Sequence, residues 1–212
     1  MITIDPRSVE QGSDLWHQLR LGHVTASNVA DVMAKGKSGE AITRKKYKMK
    51  LVAERMTEQR QESYTNAAME WGVEQEPFAR MAYEVANNVL VDKTGFWPHK
   101  SIRWVGVSPD GLVGDDGLVE IKCPNTTTHI DWYFDGKVPT EYYKQIQCQL
   151  WVTGRAWCDF ISFDPRLPPK NQLFVVRCYR DDKLIDEMQD EVLIFLDEVQ
   201  QIVDKLLGGA DE

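Results

Sequence analysis

The chain has 212 residues, enough for one large domain (1–212) with a substantial buried core. Apolar residues make up 42% of the sequence and charged residues 27%, which is typical of a globular protein. No apolar run approaches the length of a membrane span, and no targeting segment is evident. We therefore exclude a membrane protein and expect a cytoplasmic one.

The net charge of −8 argues against a nucleic-acid partner when it is taken alone, but the charge is unevenly distributed. Residues 181–212 hold 11 acidic and 2 basic residues, a net charge of −9 that leaves +1 for the other 180 residues. The segment Lys35–Lys50 contains seven basic residues against Glu40 alone. It is either a phosphate-facing patch or the solvated face of a helix.

The cysteines give little sign of a metal site or a disulfide framework. Cys123, Cys148, Cys158 and Cys178 form no C-x-x-C pair, and no histidine stands at zinc-finger spacing from them. We expect four reduced, mostly buried thiols.

In chain order, Asp14–Arg20 has the pattern of a short helix, and Thr25 or Ser27 stands where a second helix would begin. Unpaired backbone N–H groups and the helix dipole attract anions at such a position. Arg20 offers a planar guanidinium that suits a terminal phosphate. These residues predict an anion pocket; the alternative is a capping serine beside a surface arginine.

Two longer segments, at about 44–58 and at Asn66–Asn87, have apolar residues at helical spacing. Pro77 falls inside the second segment, so we expect a kink or a break near Gly72–Pro77, because proline cannot donate the helical hydrogen bond. Glu76 lies at this irregularity. It would either supply a third carboxylate to a site or simply face water.

The segments Val89–Trp97, Ser101–Ser108 and Gly117–Lys122 have strand patterns. Glycine and aspartate at 114–117 suit a tight turn. We therefore expect the second strand, from Arg103 onward, to pair with the third in a hairpin.

Strand alternation in the third segment places Glu120 and Lys122 on one face, with Val119 and Ile121 on the other. The hairpin would bring Asp110 close to Glu120. Two converging carboxylates raise each other's pKa unless a cation lies between them, and Mg²⁺ prefers such oxygen ligands.

Lys122 beside that ion would orient an attacking water and stabilise charge on a phosphate oxygen. This D-Xn-E-X-K arrangement is typical of phosphodiester hydrolysis. The alternative is an Asp-Gly turn followed by a solvated Glu/Lys pair, which many proteins contain.

The second half of the chain begins with a polar connection at 125–136 that holds a short helix. A helix follows at Thr140–Val152, with Tyr142, Gln145 and Gln149 along one face. Gln145 would reach the attacking water or a phosphate oxygen, or else it is a buried amide that only braces the strand.

Two further strands are expected at Cys158–Phe163 and Leu173–Tyr179. The last segment, Asp182–Leu207, is amphipathic and predicts a helix that covers the sheet, with its acidic outer face turned away from DNA. Together the elements predict an α/β fold with a central mixed β-sheet flanked by helices.

Five segments in this order carry a resemblance to a known family over roughly residues 10–180. They are Trp16–Ser27, Glu70–Arg80, Ser108–Leu112, Leu118–Pro124 and Tyr142–Gly154. With them the chain resembles the phage lambda-type exonucleases, the YqaJ-like viral recombinases of the restriction-endonuclease-like superfamily. The resemblance implies a PD-(D/E)XK catalytic core at about 66–180, followed by an acidic helix at about 182–207.

The resemblance also implies roles for individual residues around a metal site. Asp110 and Glu120 match the metal-binding carboxylates, and the Ile121 backbone carbonyl is an expected further ligand. Lys122 matches the water-positioning base or electrophile. Glu76 matches a helix carboxylate near the metals.

A second set of residues matches the family's contacts with the nucleophile and with DNA. Gln145 matches the glutamine that helps to hold the nucleophile, although Gln147 and Gln149 compete for this position. The expected DNA contacts are Arg20 on the 5′ phosphate, Ser27 and Thr25 beside it, Lys37 as a basic contact and Met69 as an apolar wedge.

By resemblance the function is that of a phage or prophage 5′→3′ exonuclease that uses Mg²⁺, or Mn²⁺ as a substitute, with two ions per site. It would digest one strand of linear double-stranded DNA with a 5′-phosphate end to mononucleotides, leaving a 3′ overhang for recombination by strand annealing. A homotrimer ring and a single-strand annealing protein are the implied partners. The alternatives are a structure-specific endonuclease or resolvase of the same superfamily, and a non-catalytic DNA-binding scaffold.

Overall fold

A computed structural model describes residues 4–61 and 67–208 of the chain. Within these residues the helices are α1 Asp14–Arg20, α2 Val29–Val32, α3 Ile42–Thr57, α4 Ala67–Asn87, α5 Thr126–Asp135, α6 Thr140–Thr153 and α7 Asp182–Leu206. The strands are β1 Val24–Thr25, β2 Trp97–Pro98, β3 Val105–Val107, β4 Gly111–Val113, β5 Gly117–Lys122, β6 Trp157–Phe163 and β7 Leu173–Tyr179. Asn66, where the second helical segment was expected to begin, lies outside the described residues.

The strands form two mixed sheets. The larger has the order β4-β5-β6-β7, with β5 and β6 parallel and the outer pairs antiparallel. The smaller has the order β1-β3-β2, with β1 parallel and β2 antiparallel to β3. The predicted mixed α/β architecture is confirmed, with helices flanking the sheets.

The expected hairpin partner of β5 is wrong. β5 pairs with β4, in the register Gly111↔Val119, and the strand expected from Arg103 instead supplies β3 to the smaller sheet. A turn at Trp104, which has φ 67, precedes β3, while Gly114 takes φ 52 in the β4–β5 loop. Position 114 therefore suits glycine, which adopts a left-handed conformation at little cost.

Most of the expected strand Val89–Trp97 is irregular. Its described contacts with a sheet are a single bridge, Asp92↔Leu112, and the start of β2 at Trp97.

Helix α4 runs unbroken through Pro77, so the break allowed by the sequence is wrong. Pro77 and Val73, one turn earlier, both lie on the exposed face of the helix. Pro77 has no N–H to donate to the Val73 carbonyl. At this exposed position, water can donate the missing hydrogen bond. Glu76 consequently holds a regular helical position.

The larger sheet lies between two helices. Val119 and Ile121 point to one face, where they cluster with Ala79 and Tyr83 of α4. Leu118, on the opposite face, clusters with Ile146 and other residues of α6. The alternation predicted for β5 is therefore observed, and it directs Glu120 toward α6.

Helix α7 is amphipathic as predicted, but its partners differ from those expected. Its buried stripe runs along Ile185, Met188, Val192, Phe195, Val199 and Val203. It packs mainly against α3, α2 and α6 instead of covering the larger sheet, whose corresponding face α6 already occupies.

The four cysteines are free and buried, in agreement with the prediction of reduced thiols. Among the described helices, none combines the length and apolar character needed to cross a bilayer.

Candidate active site

The β4–β5 hairpin brings Asp110 against β5. The Ile121 backbone N–H donates a hydrogen bond to Asp110 Oδ2 at 2.7 Å. Ile121 lies between Glu120 and Lys122 in sequence. The Asp110 carboxylate is therefore close to the Glu120 and Lys122 side chains, at the open end of the hairpin. The predicted convergence is observed, although β4 produces it and not β3.

Glu120 is a buried carboxylate held by three side chains. It is 1% exposed and forms an ion pair with Lys122 through Oε1. Gln145 Nε2 donates to Oε1 at 2.6 Å, and Gln149 Nε2 donates to Oε2 at 2.7 Å. The alternative of a solvated Glu/Lys pair is therefore excluded for Glu120.

The charges of this cluster perturb one another. Burial, followed by the negative charge of Glu120, raises the pKa of Asp110 to about 8, although the nearby Lys122 opposes the shift. Burial alone would lower the pKa of Lys122, but the Glu120 and Asp110 carboxylates raise it above its ordinary value. Lys122 therefore remains a cation, which favours a role in positioning and charge stabilisation over one as a proton acceptor.

Helix α4 adds a carboxylate and an arginine. Arg80 Nη2 donates to Glu76 Oε1 at 2.7 Å, and its Nη1 donates to the Asp110 backbone carbonyl, also at 2.7 Å. The negative charge of Glu76 contributes to the raised pKa of Asp110. Sequence reasoning missed Arg80, whose signal was its i, i+4 spacing from Glu76 on a predicted helix.

Glu76, Asp110 and Lys122 line a cavity of about 560 Å³. Met69, at 52% exposure, lies on its wall together with Glu76, Asp110 and Lys122. The Lys122 ammonium lies 5.1 Å from the centre of the Tyr142 ring on another wall. The cavity is wide enough for a nucleotide-sized group beside the carboxylates.

The residues present fit a hard divalent cation. Asp110 and Glu120 supply carboxylate oxygens. Burial and, after it, the charge of Glu120 raise the pKa of Asp110, and a cation would relieve the repulsion between the two carboxylates. The described residues contain no preassembled cluster of three His, Cys, Asp or Glu side chains. Two carboxylates with waters and a carbonyl are nevertheless a donor set that suits Mg²⁺.

The three glutamines of α6 have separate environments. Gln147 is buried and faces β7, where its Nε2 donates to the Tyr179 carbonyl at 2.9 Å and its Oε1 accepts from the Asp181 N–H at 2.8 Å. It makes no described contact with the carboxylates. Gln145 and Gln149 both bind Glu120, as their shared helical face indicated.

Arg20 is the last residue of α1 and contacts Ser108, two residues before Asp110. Its Nη1 donates to Ser108 Oγ at 2.9 Å, and its guanidinium lies 4.1 Å from the centre of the Trp16 ring. Trp16 Nε1 also donates to Ser108 Oγ, at 3.0 Å. Burial lowers the pKa of Arg20 to about 10, which still leaves it charged at neutral pH.

A pocket of about 140 Å³ adjoins Arg20, and Thr25 and Tyr47 contribute to its lining. Sequence reasoning missed Trp16 and Ser108 as contacts of Arg20 and Tyr47 as a wall of this pocket. Trp16 and Ser108 belong to the segments that carry the family resemblance, but nothing in the sequence shows that their side chains meet.

A helical segment begins directly after Thr25, as expected, but it is short. Thr25 precedes a 3₁₀ turn, Ala26–Asn28, and α2 beyond it has only 4 residues, too few for a strong dipole. The Thr25 N–H is also paired, since it donates to Tyr47 Oη at 3.1 Å. Ser27 is exposed, and its Oγ lies 3.4 Å from Thr25 Oγ1. Both hydroxyls donate to Asn28 Oδ1, Thr25 Oγ1 at 3.3 Å and Ser27 Oγ at 3.4 Å, so a phosphate would compete with Asn28 for them.

The basic segment Lys35–Lys50 is only partly a free patch. Arg44 Nη1 and Lys48 Nζ both bind Glu198 of α7, at 2.6 and 2.8 Å, and both also bind Glu40. Neither a phosphate-facing patch nor a solvated helix face describes these two residues, because Glu40 and Glu198 pair with them and their side chains are only 11% exposed. Lys37 is exposed in the loop between α2 and α3.

The chain is similar to known nucleases in sequence and in fold. A model of the YqaJ-like viral recombinase domain matches residues 15–156. The solved structure of an alkaline exonuclease from Laribacter hongkongensis, LHK-Exo, is 47% identical and aligns with a TM-score of 0.86 over 92% of this chain and 96% of that one. A structure of LHK-Exo in complex with dAMP gives the same values.

Two more distant matches concern only the fold or only part of the chain. A phage-related exonuclease from Haemophilus somnus 129PT is 16% identical with a TM-score of 0.68, over 87% of this chain and 96% of that one, and shares the fold. The uncharacterized protein R354 of Acanthamoeba polyphaga mimivirus is 30% identical over 110 residues. That segment is 46% of this chain and only 20% of the mimivirus protein.

Proposed function

The chain belongs to the YqaJ-like viral recombinase family, and we propose that it is a metal-dependent 5′→3′ exonuclease that acts on linear double-stranded DNA in recombination. One observation carries the proposal: the buried Glu120, held by Lys122 and Gln145, converges with Asp110 beside a separate arginine pocket. The similarity to an alkaline exonuclease over nearly the whole of both chains supports it.

We assign the metal site to three neighbouring groups. The carboxylates of Asp110 and Glu120 and the backbone carbonyl of Ile121 would hold Mg²⁺ or Mn²⁺, with Glu76 close to a second ion. When bound, the ions would supply Lewis-acid polarisation of the scissile phosphate and would lower the pKa of an attacking water.

The remaining chemistry belongs to side chains around the carboxylates. Lys122 orients the attacking water and stabilises the negative charge that develops on the phosphate oxygens. Gln145 fixes Glu120 Oε1 next to Lys122 and helps to hold the nucleophile. Arg80 fixes the backbone of Asp110 from α4, which limits the movement of the hairpin end.

Selection of a 5′ end is assigned to the arginine pocket. The Arg20 guanidinium suits a terminal phosphate, and the hydroxyls of Thr25 and Ser27 lie beside it as further contacts. Ser108, which binds Arg20, is two residues from Asp110, so the pocket lies close to the carboxylates. A terminal phosphate in the pocket would place a nearby phosphodiester at the metal site.

Contacts with the rest of the duplex are assigned to exposed residues. Met69 lines the catalytic cavity, where an apolar side chain can separate the two strands at the end of the duplex. Lys37 provides a cation on an exposed loop for the phosphate backbone. Digestion would release mononucleotides and leave a 3′ overhang.

Two assembly features complete the proposal. A homotrimer ring around DNA would explain how a chain with a net charge of −8 remains on its substrate, because a topological link does not require strong charge attraction. A single-strand annealing protein is the proposed partner that receives the emerging 3′ strand.

The decisive experiment digests linear duplex DNA labelled separately at each 5′ and 3′ end, with and without a 5′ phosphate, in Mg²⁺ and in EDTA. We expect Mg²⁺-dependent release of labelled 5′ mononucleotides, faster from phosphorylated ends. A covalently closed circle should remain intact. Internal cuts, or cleavage of the circle, would indicate an endonuclease or resolvase. Binding without cleavage would indicate a scaffold.

A further inference from the structure

Gln149 donates a hydrogen bond to one oxygen of the Glu120 carboxylate, whereas Lys122 and Gln145 contact the other oxygen. Lys122 and Gln145 both approach Oε1, whereas Gln149 donates to Oε2 at 2.7 Å. Contacts at one oxygen alone allow a carboxylate to turn about its terminal C–C bond. A donor at the second oxygen fixes its plane.

The environment of Gln149 is unfavourable for an amide. Gln149 is 1% exposed, and its helix neighbours Ile146 and Leu150 are buried core residues. Within the described part of the chain, its Oε1 is buried and has no hydrogen-bond partner. A buried acceptor without a partner is destabilising, so an apolar side chain would suit this position better unless the amide N–H group were needed.

We propose that Gln149 is a positioning residue that fixes the orientation of Glu120 toward the divalent cation. This inference rests on the proposed nuclease function and assigns a specific part of the metal site to α6. Gln149 acts on the cation only through Glu120, and removal of its N–H donor allows the carboxylate to rotate toward Lys122. The cation then meets a less well-organised ligand.

Gln147 provides a matched control on the same helix. It is also a fully buried amide, but its partners are the Tyr179 carbonyl and the Asp181 N–H. Gln149→Met and Gln147→Met therefore remove the same chemical group from the same helix. They differ in whether Glu120 loses a donor.

The test measures Ca²⁺ binding to the full-length protein by calorimetry, because Ca²⁺ serves as a probe of the carboxylate site without requiring turnover. We expect Gln149→Met to weaken Ca²⁺ binding by about 10-fold or more, as loss of a hydrogen bond to a metal ligand commonly does. The Mg²⁺ concentration for half-maximal cleavage should rise in parallel. Gln147→Met should lower the thermal midpoint and leave the Ca²⁺ affinity unchanged.

If Gln149→Met fails to fold, the same Ca²⁺ binding measurement is made on Gln149→Asn, whose shorter amide does not reach Glu120. Unchanged Ca²⁺ affinity in a folded Gln149 variant, or equal losses in the Gln149 and Gln147 variants, would overturn the positioning role and leave the proposed nuclease function standing. A wild-type protein that neither binds Ca²⁺ nor cleaves DNA in Mg²⁺ would overturn both.

Discussion

Arg20 donates a hydrogen bond to the hydroxyl of Ser108 at 2.9 Å, and Ser108 stands two residues before Asp110. The predicted phosphate-binding arginine is thus tied to the segment that delivers a catalytic-site carboxylate. Trp16 binds the same hydroxyl and stacks under the guanidinium, so the position of Arg20 depends on both neighbours. The residues proposed for end recognition and for the chemistry therefore meet at one short stretch of backbone.

Ser108→Ala should weaken end recognition. Without the hydroxyl, Arg20 loses its acceptor and the Trp16 N–H is left without its partner, at a cost of about 1–3 kcal/mol in the free energy of unfolding. The rate ratio for 5′-phosphorylated over 5′-hydroxyl ends should fall, while Ser108→Thr, which keeps a hydroxyl, should retain it. Steady-state cleavage and urea unfolding measure the two effects. An unaltered ratio in the alanine variant would show that Ser108 does not position Arg20.

Arg20→Ala should reduce the preference for phosphorylated ends directly. A guanidinium that binds a phosphate through charge-assisted hydrogen bonds contributes about 1.5–3 kcal/mol, or roughly 10- to 150-fold in kcat/KM. Arg20→Lys should give an intermediate value, because an ammonium keeps the charge and loses the planar fork. Lys205→Ala, at an exposed cation of α7, is the control and should leave the ratio unchanged. If wild type and Arg20→Ala showed the same rate ratio for 5′-phosphorylated over 5′-hydroxyl ends, Arg20 would not recognise the terminal phosphate.

Glu120→Gln should abolish cleavage while the fold persists. The substitution preserves shape, but it removes the charge that binds the cation and presents an amide N–H₂ to donors on Gln145, Gln149 and Lys122. Because a metal-assisted reaction depends on several kcal/mol of charge stabilisation, the rate should fall at least roughly 1000-fold. Circular dichroism and DNA binding in EDTA check that the fold is intact. A folded variant with full activity would refute the metal assignment.

The sequence could predict the parts of this site that depend on local periodicity. Strand alternation placed Glu120 and Lys122 together, and helical spacing placed Gln145 and Gln149 on one face of α6. Both patterns depend only on residues a few positions apart. The metal-site and DNA-binding roles implied by the family resemblance remain predictions.

The sequence could not predict contacts between distant segments. Arg44 and Lys48 were grouped with the basic patch, but they bind Glu198, which is about 150 residues away in the chain. The membership of β3 in the smaller sheet was missed for the same reason, since β1 and β3 are short and their pairing leaves little trace in the local pattern. Such pairings are decided by tertiary packing.

His23 should make the stability of the protein depend on pH. Burial lowers its pKa from 6.5 to about 4, the hydrogen bond to the Leu21 carbonyl opposes the shift, and the positive charges of Arg55, Arg20 and Arg103 reinforce it. Between these two pKa values the unfolded chain binds a proton that the folded chain rejects. The stabilisation is therefore complete above about pH 6.5 and is lost as the pH falls toward 4, with a slope of up to about 1.4 kcal/mol per pH unit.

His23→Asn removes this titration and keeps an N–H donor of similar reach for the Leu21 carbonyl. It also removes ring contacts with Phe96 and Trp104, so the variant should be less stable at every pH. The informative quantity is the difference between the two unfolding free energies, measured by urea denaturation from pH 4.5 to 7.5. That difference should shrink as the pH falls below 6.5, because only the wild type loses the His23 contribution. Parallel curves for wild type and variant would mean that His23 titrates equally in the folded and unfolded chains, and that its burial among three arginines has no effect on acid stability.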